Sequence, residues 1–300
     1  MYIKPKWSGE GKGWPHRETS RFLQAGGVNW HVQIMGSGPV LVLLHGTGAA
    51  THSWAKLMPL LAPHYTIVAM DLPGHGFSST PEGSKLSLPG MAGCIGLLLT
   101  ALKVEPFAII GHSAGAAIAA QMILTGKAKS NHLISINGAF KPFDGLAAHI
   151  FPVVAKLVAL NPVTIFALSQ GGKDRERVAK MLASTGSNLD ETTIELYARL
   201  FGTSGHVGGV MGMMARWELD KLASSLPKLA LPVTLIVGTN DKTIPPNVSK
   251  DVQRLVKAAL LFELEGLGHL AHEEDGAAVA RVILKVLTRP LAGALEGKAV

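Results

Sequence analysis

A series of short apolar runs shows almost no polar alternation, and each run stops at a turn of small or polar residues. Residues 39–44 end at His45-Gly46-Thr47-Gly48, and 67–70 end at Asp71-Leu72-Pro73-Gly74-His75-Gly76. Residues 107–110 end at Gly111-His112-Ser113, and 133–136 end at Asn137-Gly138. Residues 233–237 end at Gly238-Thr239-Asn240-Asp241, and 260–264 run on to Gly266-Leu267-Gly268-His269. A strand with one wet face alternates apolar and polar side chains, so uninterrupted runs predict strands buried on both faces. Helical stretches lie between them, at 53–61, 88–102, 114–124, 248–256 and 277–287. This order predicts an α/β chain with a mostly parallel central sheet and helices on both of its faces. Phe22 to Ala25 and Val28 to Ile34 flank Gly26-Gly27 and predict a hairpin in front of it.

The alternation breaks over residues 140–219, which are helical in character and carry Met211-Gly212-Met213-Met214. A helical cap insertion is expected there. The expected division is an irregular segment 1–20, a core of 21–139 with 220–290, the cap 140–219 and a tail 291–300. With 47% hydrophobic and 16% charged residues, the chain can bury a core and is not of disordered composition. Cys94 is the single cysteine, which excludes an intrachain disulfide and a cysteine-based metal site. The first twenty residues lack an apolar leader, so a cytoplasmic protein is expected. Residues 146–168 come nearest to a membrane span, but His149, Pro152, Lys156, Asn161 and Pro162 interrupt them.

The net charge of +7 suits an acidic small molecule or an anionic membrane surface, with peripheral contact at most. No basic run with interleaved aromatics argues for nucleic acid. The chain has 12 histidines, but His45, His75, His112 and His269 stand singly at separate strand ends, and no pair has the spacing that puts two metal ligands on one helix face. No metal and no other cofactor is expected.

Chemistry in such sheets sits at the carboxyl ends of the strands. Gly111-His112-Ser113-Ala114-Gly115 fits G-x-S-x-G, a sharp strand-to-helix turn that lifts the serine hydroxyl into the open. A hydroxyl needs a base to become a nucleophile, and His269 after the last strand is the candidate. Asp241, after the strand before it, is the candidate for orienting that base. Asp71 is a rival acid, with bracing of the turn at 73–76 as the alternative role. His272 is a rival base, placed more naturally at the start of the last helix. An oxyanion would need two preorganised donors, expected from the amides of Ala114 and Thr47. His112, Phe140, Met213, Met214 and Trp217 are expected to contact a substrate, under a cap whose Phe151, Phe166 and Phe201 add apolar surface.

His45-Gly46, the run from Asp71 to Gly76, the elbow from Gly111 to Gly115, Asp241 and Gly268-His269 together resemble the α/β-hydrolase superfamily over about residues 20–290. Dehalogenases and epoxide hydrolases of that superfamily use an aspartate nucleophile, which Ser113 argues against. Lyases and carbon–carbon bond hydrolases keep the serine. More narrowly, the chain resembles the magnesium-chelatase accessory hydrolases of bacteriochlorophyll biosynthesis. That likeness rests on Trp14 to Glu18, Gly46 to Trp54, Leu86 to Met91, Gly205-His206-Val207, Met213-Met214-Ala215 and Trp217. The resemblance implies a pigment-pathway role, a porphyrin-like apolar substrate and a magnesium-chelatase subunit as partner. It leaves two roles open: a serine hydrolase, or a non-catalytic accessory that keeps the triad as inheritance.

Overall fold

The computed structural model of the chain describes residues 3–142 and 161–288. β1 (Ser20–Ala25) and β2 (Val28–Met35) form the expected antiparallel hairpin. β3 (Val40–Leu44), β4 (Thr66–Met70), β5 (Ala108–His112), β6 (His132–Ile136), β7 (Val233–Gly238) and β8 (Ala259–Leu264) complete an eight-stranded sheet. Its order is β1-β2-β4-β3-β5-β6-β7-β8. β2 meets β4 antiparallel, and every pairing from β4 to β8 is parallel.

The missing alternation now has its cause. In β3, Val42 and Leu44 enter one core layer with Val68, Met70 and Ile109. Leu41 and Leu43 point the opposite way, into a second layer with Ile67, Ala69 and Ile110. Each such side chain leaves water completely, a gain of roughly 1.5–3 kcal/mol apiece.

The helices in chain order are α1 (Met58–Leu61), α2 (Leu88–Leu102), α3 (Ala114–Leu124), α4 (Pro162–Gly172), α5 (Arg175–Ala183) and α6 (Glu191–Phe201). They continue as α7 (Ser204–Met214), α8 (Asp220–Ser225), α9 (Pro246–Leu255), α10 (Ala271–Glu274) and α11 (Gly276–Leu287). α2 and α3 cover the first core layer, with the Cys94 thiol buried beneath α2, while α1 and α11 cover the second. The single helix expected over 53–61 is instead a 3-10 turn, Thr51–Trp54, followed by α1. Pro59 explains the break, because it has no N–H to give to the preceding turn and is at home only where a helix starts.

α4 to α7 lie between β6 and β7. Val178 and Leu182 of α5, with Ile194, Tyr197 and Ala198 of α6, pack on Ala49 and Leu270 of the core loops. These helices therefore lie over the carboxyl ends of the strands. Phe151 and most of the stretch 146–168 lie outside the described residues. Among the described residues no helix is long and apolar enough to cross a membrane. The segment before β1 carries a short 3-10 turn, Arg17–Thr19, and is tied to the rest of the fold. The Trp14 indole donates to Thr51 Oγ1 at 3.0 Å, and the Ile3 carbonyl accepts from the Gly205 amide at 2.7 Å. Lys4 Nζ donates to the Gly74 carbonyl at 2.8 Å, and burial lowers this ammonium to about 7.

Candidate active site

Ser113 sits between β5 and α3 with φ 49 and ψ −115, a conformation that L residues rarely adopt. Such a residue stores roughly 1–3 kcal/mol of strain, which persists only where the surroundings enforce it. Here its amide donates to the Ile136 carbonyl at 3.0 Å, and its carbonyl accepts from Ala139 at 3.1 Å and Ala116 at 3.1 Å. Glycine on either side is a steric need: a Cβ at Gly115 would run into the Leu44 carbonyl, and one at Gly111 into the Ala116 amide. The turn keeps the Ser113 side chain half-exposed while its neighbours on both sides are buried. The loop after β3 presses against it, since a Cβ added to Gly46 would stand 3.1 Å from Ser113 Cβ. Neither the Ala114 amide nor the Thr47 amide has an acceptor among the described residues.

His269 follows β8 and is nearly buried, at 6% exposure. Its Nδ1–H donates to Asp241 Oδ2 at 2.8 Å. That bond leaves Nε2 as the ring nitrogen free to take a proton. Asp241 in turn accepts on Oδ1 from the amides of Thr243 at 2.8 Å and Ile244 at 2.9 Å. Its Oδ2 also accepts from Asn137 Nδ2, at 2.7 Å. Four donors saturate the carboxylate and fix its plane, so it can hold the imidazole in one tautomer.

Asn137 joins this arrangement, although no motif in the sequence marks it. It follows β6 at φ 48, buried between β5, which leads to Ser113, and β7, which leads to Asp241. Asparagine tolerates this left-handed conformation better than other side chains, and its place at a strand end was the available signal.

Asp71, the rival acid, has different partners. Its Oδ1 accepts from the Thr51 amide at 2.7 Å, and its Oδ2 from Phe77 N at 2.8 Å and His31 Nδ1 at 2.9 Å. Burial alone would raise this carboxyl. His31, His45 and the amide bond from Phe77 outweigh burial and hold it well below the usual range. Asp71 thus ties together β2, the loop after β3 and the turn after β4. The rival base His272 is fully buried, held down to about 3 by desolvation, and its Nε2–H donates to Ser53 Oγ at 2.8 Å.

His112 donates from Nε2 to the backbone carbonyl of His269 at 2.9 Å, so the residue before Ser113 holds the backbone of His269. Burial keeps this ring neutral by lowering it well below the ordinary histidine value. His112 and Phe140, at 2% and 0% exposure, have no face open to a ligand in this structure. Phe140 and Met213 are packed into the first core layer, and Met213 Sδ faces the exposed Thr47 hydroxyl at 3.9 Å. These three expected substrate contacts are packed among protein side chains in this structure, while Met214 and Trp217 stay half-exposed. Phe166 is 54% exposed, and Phe201 stacks on Tyr197 at 6.4 Å between ring centres.

Residues 39–276 match the family model described as alpha/beta hydrolase fold. The chain is 39% identical over 273 residues to the "Magnesium-chelatase 30 kDa subunit" of Rhodobacter capsulatus, covering 90% of this chain and 95% of that one. It is 27% identical to the "Pyrrolizixenacetamide deacetylase" of Xenorhabdus hominickii, over 81% of this chain and 88% of that one. Among solved structures, an epoxide hydrolase named CorEH superposes with a TM-score of 0.76 at 23% identity, over 89% of this chain and 97% of that one. An alpha/beta hydrolase fold protein from Burkholderia ambifaria also gives 0.76, at 20% identity over 89% and 97%. At those identities the two structures speak for the fold alone. The chain belongs to the α/β-hydrolase family and is a relative of the magnesium-chelatase 30 kDa subunit.

Proposed function

We propose that this chain is a serine hydrolase whose Ser113 Oγ attacks an acyl carbon while His269 Nε2 takes the hydroxyl proton. Asp241 keeps the proton on His269 Nδ1 and stabilises the imidazolium as it forms. The developing oxyanion lies between the amides of Ala114 and Thr47, which are otherwise unused. The imidazolium then gives its proton to the leaving group. A water, deprotonated by the same base, releases the acid product and restores the serine. The observation that carries this reading is the 2.8 Å Asp241–His269 bond on a carboxylate saturated by fixed donors. A fluorophosphonate probe should label Ser113, and Ser113→Ala should abolish labelling. A folded wild type that resists the probe would overturn the reading.

For the substrate we infer a bulky apolar molecule of the tetrapyrrole class, bound under the helices between β6 and β7. The support is the likeness to a magnesium-chelatase subunit and the half-exposed Met214 and Trp217. Titration with protoporphyrin and its magnesium complex, followed at the Soret band, should saturate and should weaken in Trp217→Ala. No binding, alongside good turnover of short acyl esters, would leave a general carboxylesterase.

The name of that relative also favours a second reading, an accessory protein to magnesium chelatase in bacteriochlorophyll biosynthesis that needs no catalysis. Complementing a deletion strain with wild type and with Ser113→Ala separates the two readings. Rescue of the pigment intermediates by the mutant would favour the accessory role.

A further inference from the structure

One short turn between two cap helices touches both loops that carry the acid and the base. The turn runs from Thr185 to Asn188, between α5 and α6. The Thr185 carbonyl accepts from the amide of His269 itself, at 3.4 Å, and from that of Lys242, the neighbour of Asp241, at 3.0 Å. On the acid side the Gly186 carbonyl also accepts from Asn240 Nδ2 at 2.6 Å. On the base side Ser187 Oγ accepts from the Leu270 amide at 2.8 Å. Glu274 spans the same gap, accepting from Gly268 N at 2.7 Å and from Asn188 N at 2.9 Å.

The contact is backbone against backbone. Gly186 has φ +87, and a Cβ there would run into the Asn240 carbonyl. A Cβ on Gly268 would run into Gly186 and the Ser187 amide. The turn has little freedom of its own. α5 and α6 pack on each other and on Leu270, and the Asp190 side chain caps α6 by accepting from Thr193 N at 2.8 Å. Any displacement of these helices therefore pulls on the residues flanking both members of the acid–base pair.

We propose that the Thr185–Asn188 turn is a positioning element for the acid–base pair, with Ser187 its main side-chain contributor. The Asp241–His269 bond is then set by the seating of the cap, and occupancy beneath the cap is transmitted to the base. This proposal rests on the serine-hydrolase reading for its kinetic consequence, but not for its structural one. A stretched or tilted Asp241–His269 bond stabilises the imidazolium less, which lowers the pKa of the base and slows proton removal from Ser113.

The test uses the full chain with Ser187→Ala and, as a milder second variant at an exposed residue, Asn240→Ala. Two quantities are read: the rate of fluorophosphonate labelling against probe concentration and pH, and the titration of the His269 imidazole by NMR. In Ser187→Ala the saturating labelling rate should fall about tenfold, equivalent to ~1.4 kcal/mol of barrier. The half-saturating probe concentration should change little, and the His269 titration should move to lower pH. Asn240→Ala should follow in the same direction, and Ser187→Thr, which keeps the hydroxyl, should restore both readouts. Folded variants with an unchanged labelling rate and an unchanged His269 titration would overturn the proposal and leave the turn a mere fastening. If wild type does not label at all, the hydrolase reading falls, and the His269 titration alone still decides whether the turn positions the pair.

Discussion

At the scale of single residues, the acid is where substitution should separate chemistry from architecture. Asp241→Asn keeps the shape of the side chain, but its amide group facing His269 would favour the wrong tautomer, so turnover should fall by orders of magnitude. Melting temperature should change little, because both loop amides still find an acceptor. Asn137→Ala should give a graded version of the same defect. It removes one of the four donors to Asp241, a bond to a charged group worth roughly 1.5–3 kcal/mol, and leaves the His269 contact in place. Asp71→Asn should reverse the pattern, with a large loss of melting temperature and a smaller loss of labelling, because Asp71 braces three chain segments away from His269. If Asp71→Asn silences labelling while Asp241→Asn does not, the acid has been misassigned. The placement of Ser113, His269 and Asp241 is legible in the sequence because each follows a strand inside a recognisable turn. Asn137 follows a strand too, but its role depends on β6 lying between β5 and β7, an adjacency that no local pattern encodes.

At the scale of elements, legibility followed the reach of the interactions that define each one. α2 and α3 begin and end where the local pattern puts them, because the serine cap and early proline of α2 and the unbroken small and apolar stretches of both helices are local signals. The single helix expected over 53–61 gives way to the 3-10 turn at Thr51–Trp54 and α1, because one proline outweighs the surrounding propensity. The anchoring of the segment before β1 has no local sequence signal, since its partners lie on α7 and on the turn after β4. That anchoring can be tested by deleting the first 12 residues. The deletion removes the Ile3 main-chain bonds to Ser204 and Gly205, and the Lys4 bond to Gly74. At about 1 kcal/mol each, these losses should lower the melting temperature by several degrees. Amide exchange should speed up first in the opening turn of α7. An unchanged exchange pattern would show that α7 is held by its packing alone. The turn at 185–188 has no local signal for the same reason, because its acceptors serve amides more than 50 positions away in the chain.

At the scale of the whole molecule, burial of ionisable groups sets how stability responds to pH. His45, His52, His75, His112, His206 and His272 all have lowered pKa values, chiefly through desolvation. Below about pH 6.5 the unfolded chain binds protons that these folded rings refuse, so stability falls as the solution is acidified. Glu273 works in the opposite sense. Burial pushes its carboxyl up to about 7 against the hydrogen bonds from Ser53 and Tyr197, and its Oε2 has no partner among the described residues. Between about pH 4.5 and 7 the folded state holds a proton there that the unfolded chain has lost, so this group costs stability as pH rises. Glu273→Gln should therefore be neutral near pH 5 and stabilising near pH 8, by about 1–3 kcal/mol, the usual penalty for an unpaired buried polar group. Chemical denaturation at both pH values checks this, and a variant equally destabilised at both would show that the acid is needed for packing. The lone thiol of Cys94, sealed under α2, gives the same molecule an internal clock. A thiol reagent can reach it only when that layer separates, and no second cysteine confuses the signal. Its modification rate at low reagent should then report the breathing of the first core layer, residue-specifically and without any introduced label.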